Sequence, residues 1–200
     1  PVNASFSEYR ALNASKLKLL EIDQKLNSRR FDEMVEDILT NESDYIIDNC
    51  ASTFLPLANY MIKNQVPKMI SDANRQLYIH CVVTGGQALM DTISGLSNLI
   101  KQMPKEAKII VWLNEFFGAI EVDGKMFEDL KIFTANQSRI SGAITISKLS
   151  TDTFAKDFAM MLDRKLTFQE AIASSEFGLM AKQRLAMIRK SIFDQIAAII

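Results

Sequence analysis

Four short apolar runs, each cut off by a polar residue or a glycine, constrain this chain more than any other feature. They are Tyr45-Ile46-Ile47, Leu77-Tyr78-Ile79-His80-Cys81-Val82-Val83, Ile109-Ile110-Val111-Trp112-Leu113 and Ala143-Ile144-Thr145-Ile146. Runs of this kind suit strands covered on both faces, as in a parallel sheet, because a sheet with one wet face alternates apolar and polar residues. The spacing predicts strands near 45–48, 77–83, 109–113 and 143–146. Helical periodicity separates them: Phe31, Met34, Val35, Ile38 and Leu39 recur at three- and four-residue intervals, as do Leu89, Ile93, Leu96, Leu99 and Ile100. Further helices are predicted from Pro56 to about Asn64, around Met69–Asn74, and over 153–164, 167–173 and 179–199, with a weaker signal from Phe6 to Leu20. Asp123-Gly124 marks the tip of a small hairpin, followed by a helix over Phe127–Phe133. Strands alternating with helices imply right-handed crossovers and an α/β fold, a mostly parallel sheet with helices on both faces. No internal repeat or linker divides the 200 residues, so one domain is expected.

In open α/β sheets ligands sit outside the carboxyl ends of the strands. Asp48, Thr84-Gly85 and Asn114 each follow a strand end, so all three are expected at one edge. A carboxylate at Asp48 can hold the water shell of a Mg²⁺ ion or orient a water; equally, it can simply end a strand and begin a turn. Asn114 has the same two readings, since a carboxamide both donates and accepts but is also a common turn residue.

The rest of the composition narrows the function classes. A net charge of −1 argues against strong nucleic-acid binding by charge alone. Two cysteines, Cys50 and Cys81, lack metal-ligand spacing and are expected to be reduced and buried in a cytoplasmic protein. No apolar run reaches membrane-spanning length, and the opening Pro1-Val2-Asn3-Ala4-Ser5 has neither the charged end nor the apolar centre of a signal peptide. His80 has no nucleophile motif beside it and reads as a core histidine. On the last helix Ala181, Leu185, Ile188, Ile192, Ile196 and Ile199 form an apolar stripe, flanked by Lys182, Arg189 and Lys190. That pattern fits a docked surface helix, or one making weak contact with DNA or a membrane.

Taken together, several segments resemble a known family. They are Pro1 to Phe6, Asp44 to Leu57, Asn64-Gln65-Val66-Pro67, Val82 to Leu89, Val111-Trp112-Leu113-Asn114, Thr134-Ala135-Asn136 and Leu166-Thr167-Phe168. The chain resembles the ParA/MinD group of deviant-Walker P-loop ATPases, and more narrowly the branch holding the plasmid conjugal-transfer TraL and plasmid-stability StbB families. The resemblance implies a P-loop-like fold and an ATP-Mg²⁺ site. In it, Asp48 corresponds to the Walker B carboxylate, the segment from Asn49 to Thr53 to the switch that senses the γ-phosphate, and Asn114 to the residue pairing with adenine. Asn3 lies in a segment facing the phosphates, although the spacing after the proline is shorter than usual there. Thr84 and Gly85 complete the expected nucleotide-binding set. The implied partners are a second copy of the chain and other plasmid transfer or partition proteins.

One departure is large. The family's phosphate loop, Lys-Gly-Gly-x-Gly-Lys-Ser/Thr, is absent from the sequence, and Gly85-Gly86 cannot replace it because no Lys-Ser/Thr follows. The family's first strand, first helix and second strand are missing with it, so the chain is expected to be a fragment or a late-starting reading frame. Two readings of function stand side by side: an ATPase domain without its phosphate loop, inactive as it stands, or a non-catalytic interaction module or DNA- or membrane-tethered adaptor of the transfer or partition apparatus.

Overall fold

The computed structural model describes residues 5–17, 19, 27–49 and 51–200, and the chain divides into two compact units, Pro1–Leu77 and Tyr78–Ile200.

In the first unit, helices α1 (Arg30–Thr40), α2 (Ala51–Lys63) and α3 (Val66–Asp72) follow one another. The apolar face read from the sequence is the one that packs: Val35 and Ile38 of α1 meet Val66 and Ile70 of α3, and the Phe31 and Tyr60 rings lie 5.2 Å apart. Arg75 closes the end of α1. Its guanidinium donates to the carbonyls of Ile38, Asn41 and Ser43 and stacks over the Tyr45 ring, satisfying acceptors that a helix end leaves orphaned.

The first expected strand does not form. Residues 44–49 are irregular, with Ile46 84% and Ile47 46% exposed. An apolar run becomes a strand only where a neighbour accepts its ladder, and no described strand pairs with this one. Three further expectations are corrected. Among the described residues of the expected helix Phe6–Leu20, two 3₁₀ turns form, Ser5–Glu8 and Arg10–Leu12, and residues 14–17 are irregular. Pro56 lies inside α2, where its missing N–H leaves out the bond a helix would make to Ser52. The helix over 127–133 breaks at Leu130, whose extended backbone separates a 3₁₀ turn, Phe127–Asp129, from α5 (Lys131–Thr134).

The second unit carries the sheet. Strands β1 (Leu77–Thr84), β2 (Ala107–Asn114) and β5 (Ile140–Ile146) stand in the order β1-β2-β5, and β3 (Glu121–Val122) with β4 (Lys125–Met126) make the small antiparallel hairpin around Asp123-Gly124. β2 and β5 pair in parallel from Ile109 opposite Ile140 to Asn114 opposite Ile146. The fold is α/β, a mostly parallel sheet flanked by helices, as the buried runs predict. Ile109, Ile110 and Val111 are fully buried in the central strand. Helix α4 (Leu89–Gln102) buries Leu89, Leu96, Leu99 and Ile100 on the face its periodicity marks. Arg139 donates to the carbonyls of Ile100 (3.2 Å), Met103 (2.9 Å) and Pro104 (3.0 Å), tying the end of α4 to the start of β5. Helices α6 (Phe154–Asp163), α7 (Phe168–Ala173) and α8 (Leu179–Ala197) share a second core around Met161, Phe177 and Leu185. Thr167 and Glu170 cap α7 reciprocally.

Candidate functional site

The carboxyl ends of the three strands are laced together by backbone bonds. The Gly85 N–H donates to the Asn114 carbonyl at 3.0 Å, and the Glu115 N–H donates to the Ile146 carbonyl at 3.0 Å. The turn leaving β1 is fixed from α4 as well: the Thr84 N–H donates to Thr92 Oγ1 at 3.1 Å. The turn leaving β2 is held by the side chain of Asn114, whose Oδ1 accepts the Phe116 N–H at 3.1 Å, and by the Gly118 N–H donating to the Glu115 carbonyl at 3.1 Å.

These two turns touch through glycines. A Cβ on Gly85 would overlap the Gly118 carbonyl oxygen, and one on Gly86, at φ +74°, would lie 2.9 Å from the Phe117 carbonyl oxygen. Only glycine permits the approach. Beside the contact lies a half-open hollow of about 440 Å³, lined by Thr84, Gly85, Gly86, Gln87, Ala88 and Phe117. It sits where α/β sheets place their ligands.

Of the expected site residues, Thr84 and Gly85 line this cavity, and Asn114 lies beside it, bonded to Gly85 through its backbone and to Phe116 through its side chain. Asn114 thus serves here as a strand-end turn residue, with its carboxamide oxygen already engaged. Asp48 and Asn49 are exposed residues of the irregular segment in the first unit, and Asp48 Oδ2 accepts the Phe6 N–H at 3.4 Å. Asn3 and Cys50 lie outside the described residues. Sequence reasoning passed over Phe117 and Gln87; the signal that could have found Phe117 is the pair of aromatics directly after a strand-end asparagine. Among the described residues no three His, Cys, Asp or Glu side chains converge as a metal site. A nucleotide-bound Mg²⁺ needs only one or two protein carboxylates, with phosphate oxygens and waters supplying the rest.

His80, expected in the core, is instead exposed on β1, and its Nδ1 accepts a bond from Trp112 Nε1 of the neighbouring strand at 2.8 Å. That bond needs a neutral Nδ1, and partial desolvation of the ring holds the imidazole pKa below its usual 6.5. A base whose folded pKa is depressed stabilises the fold fully above its unfolded value and loses that contribution as pH falls through the folded value. The emission of Trp112, the sole tryptophan, is therefore expected to stay constant from about pH 8 to 6.5 and to change with a midpoint below 6.5; a midpoint at or above 6.5 would contradict the assignment. Next to it, burial pushes the Cys81 thiol up to about 11. On a Cys50→Ser background, alkylation of Cys81 at about pH 8 is expected to run about a hundredfold slower in the folded chain than in urea. Equal rates would show the thiol to be accessible and unshifted.

The stripe on α8 is docked: Ala181, Leu185 and Ile188 are buried, Ile192 packs on the same core, and Ile199, just beyond the helix, reaches Gly142 of β5. Of the flanking cations, Lys190 pairs with Asp194 at 2.5 Å and Arg189 stacks over the Phe193 ring at 4.8 Å. No described helix is long and apolar enough to cross a membrane.

Comparison with known proteins gives two relatives. The chain is 46% identical over 198 residues to an Escherichia coli protein named Protein TraL, a match covering 99% of this chain and 82% of that one. It is 47% identical over 196 residues to a second Escherichia coli Protein TraL, covering 98% of this chain and 81% of the relative. No protein-family model matches the chain, and no solved structure does.

Proposed function

This chain belongs to the TraL family, and on that premise we propose that it is the nucleotide-binding part of a plasmid conjugal-transfer protein of ParA/MinD type, working in the cytoplasm. The observation that carries the reading is the carboxyl edge of the sheet, where Gly85 is bonded to Asn114 and a cavity opens along Thr84, Gly85 and Gly86. The ligand of this reading is ATP with Mg²⁺. The cavity is large enough for a nucleobase, and no charged side chain lines it, so this chain's own residues fit the nucleoside better than the phosphates. For Asp48 and Asn49, exposed in the first unit, the Mg²⁺ and switch roles rest on the family resemblance alone. A second copy of the chain and other transfer or partition proteins are the partners of this reading.

Without a phosphate loop in the sequence, binding is expected to be millimolar or weaker, because a base contact worth about 1–3 kcal/mol falls short of the roughly 4 kcal/mol that millimolar affinity requires. Equilibrium dialysis against ATP, with and without Mg²⁺, tests the reading. Saturable binding in that range supports it. Absence of binding would favour the second reading, a non-catalytic interaction module or DNA- or membrane-tethered adaptor.

A further inference from the structure

We propose that Phe117 is the aromatic wall on which a purine base stacks in the cavity at the sheet's carboxyl edge, with Gln87 reading the base's polar edge. The inference rests on the nucleotide reading of this site and names the residues that hold the base. It departs from the expectation that Asn114 pairs with adenine, since the Asn114 carboxamide oxygen is spent on the turn that carries the ring.

Three observations converge. First, the cavity lining of Thr84, Gly85, Gly86, Gln87, Ala88 and Phe117 contains one ring and no charged group, so it suits a flat, uncharged moiety. Second, Phe117 is 69% exposed although its turn is tied down on both sides, by Asn114 and by the glycine contact. A ring left open on a rigid turn is preorganised for a ligand and loses little freedom when it is covered. Third, Phe116 packs edge-on against it, with centroids 4.8 Å apart and planes at 86°, which steadies Phe117 while leaving ring surface uncovered. Every base has a π-face, so stacking alone accepts any purine. Gln87 adds one group able to donate and accept along the base edge.

Saturation-transfer difference NMR tests this on the full 200-residue chain, because the method detects millimolar binding. The probes are adenosine, ATP with Mg²⁺, and tripolyphosphate. Adenosine H2 and H8 are expected to saturate more strongly than the ribose protons. Phe117→Ala is expected to weaken adenosine binding on the order of tenfold or more, while Phe117→Tyr keeps it. The exposed position makes loss of folding no concern, and coincident Trp112 fluorescence melts confirm that the variants fold. If adenosine and ATP saturate equally well in wild type and Phe117→Ala, the inference is overturned and the nucleotide reading stands. The same holds if tripolyphosphate displaces ATP while adenosine does not bind. If adenosine binds through Phe117 and ATP does not bind, the base site stands and the ATP reading falls. No signal from either adenosine or ATP removes both.

Discussion

Incubated with ATP and Mg²⁺, the 200-residue chain is expected to release no phosphate above a protein-free control. Transfer of a phosphoryl group is almost wholly a matter of positioning and charge stabilisation, which a phosphate loop supplies through backbone amides and a lysine. The sequence contains no such loop, and the cavity beside Gly85 is lined by no cation. Placing a segment with Lys-Gly-Gly-x-Gly-Lys-Ser/Thr ahead of Pro1 is expected to confer Mg²⁺-dependent turnover. In that longer chain Asp48→Ala is expected to remove at least about a hundredfold of the rate, the usual scale for losing one electrostatic group at a transferring centre. The same segment is expected to raise the melting temperature. Robust hydrolysis by the 200-residue chain that disappears on Asp48→Ala would show that turnover needs no phosphate loop and would overturn this account of the active site.

Two alanine substitutions, ten residues apart, are expected to move stability in opposite directions. In Gly85→Ala the new methyl meets the backbone of Gly118, which cannot swing aside as a side chain would. Either turn must move, and moving one strains the bond from Gly85 to Asn114. Overpacking of this kind costs about 1–3 kcal/mol, or roughly 2–12 °C in a chain of this size. In Gly95→Ala the methyl meets nothing within 4 Å and sits inside α4. There it restores helix propensity and is expected to stabilise by up to about 1 kcal/mol. Fluorescence melts of the two variants read the difference directly. A neutral Gly85→Ala would mean that the two turns do not hold each other.

The parts of the fold legible in the sequence were those where local pattern and tertiary surroundings agree. Ile109–Leu113 reads as a buried strand because its residue types demand burial and β1 and β5 lie on either side to provide it. The face of α4 was readable for the same reason, since Leu89, Leu96 and Ile100 repeat at helical spacing. Tyr45-Ile46-Ile47 has the residue types of a strand without the described neighbour that would make it one, and pattern cannot report a neighbour. The break at Leu130 was equally hidden, as nothing in Phe127–Phe133 forbids a continuous helix.

At the candidate site the strand ends were legible and the wall was not. Thr84, Gly85 and Asn114 are found from where apolar runs stop. Phe117 becomes a lining residue only because Gly118 packs on Gly85, a contact between turns far apart in the chain. Arg75 and Arg139 were invisible for a related cause: each closes a helix whose sequence lies well before it.

The most direct test of the account is where ATP with Mg²⁺ lands. Titrated into the ¹⁵N-labelled chain, it is expected to shift the amides of Thr84 to Ala88 and of Asn114 to Gly118, saturating at millimolar concentration or above. Amides of this edge that stay still while others move, along α8 for example, would contradict the placement of the site.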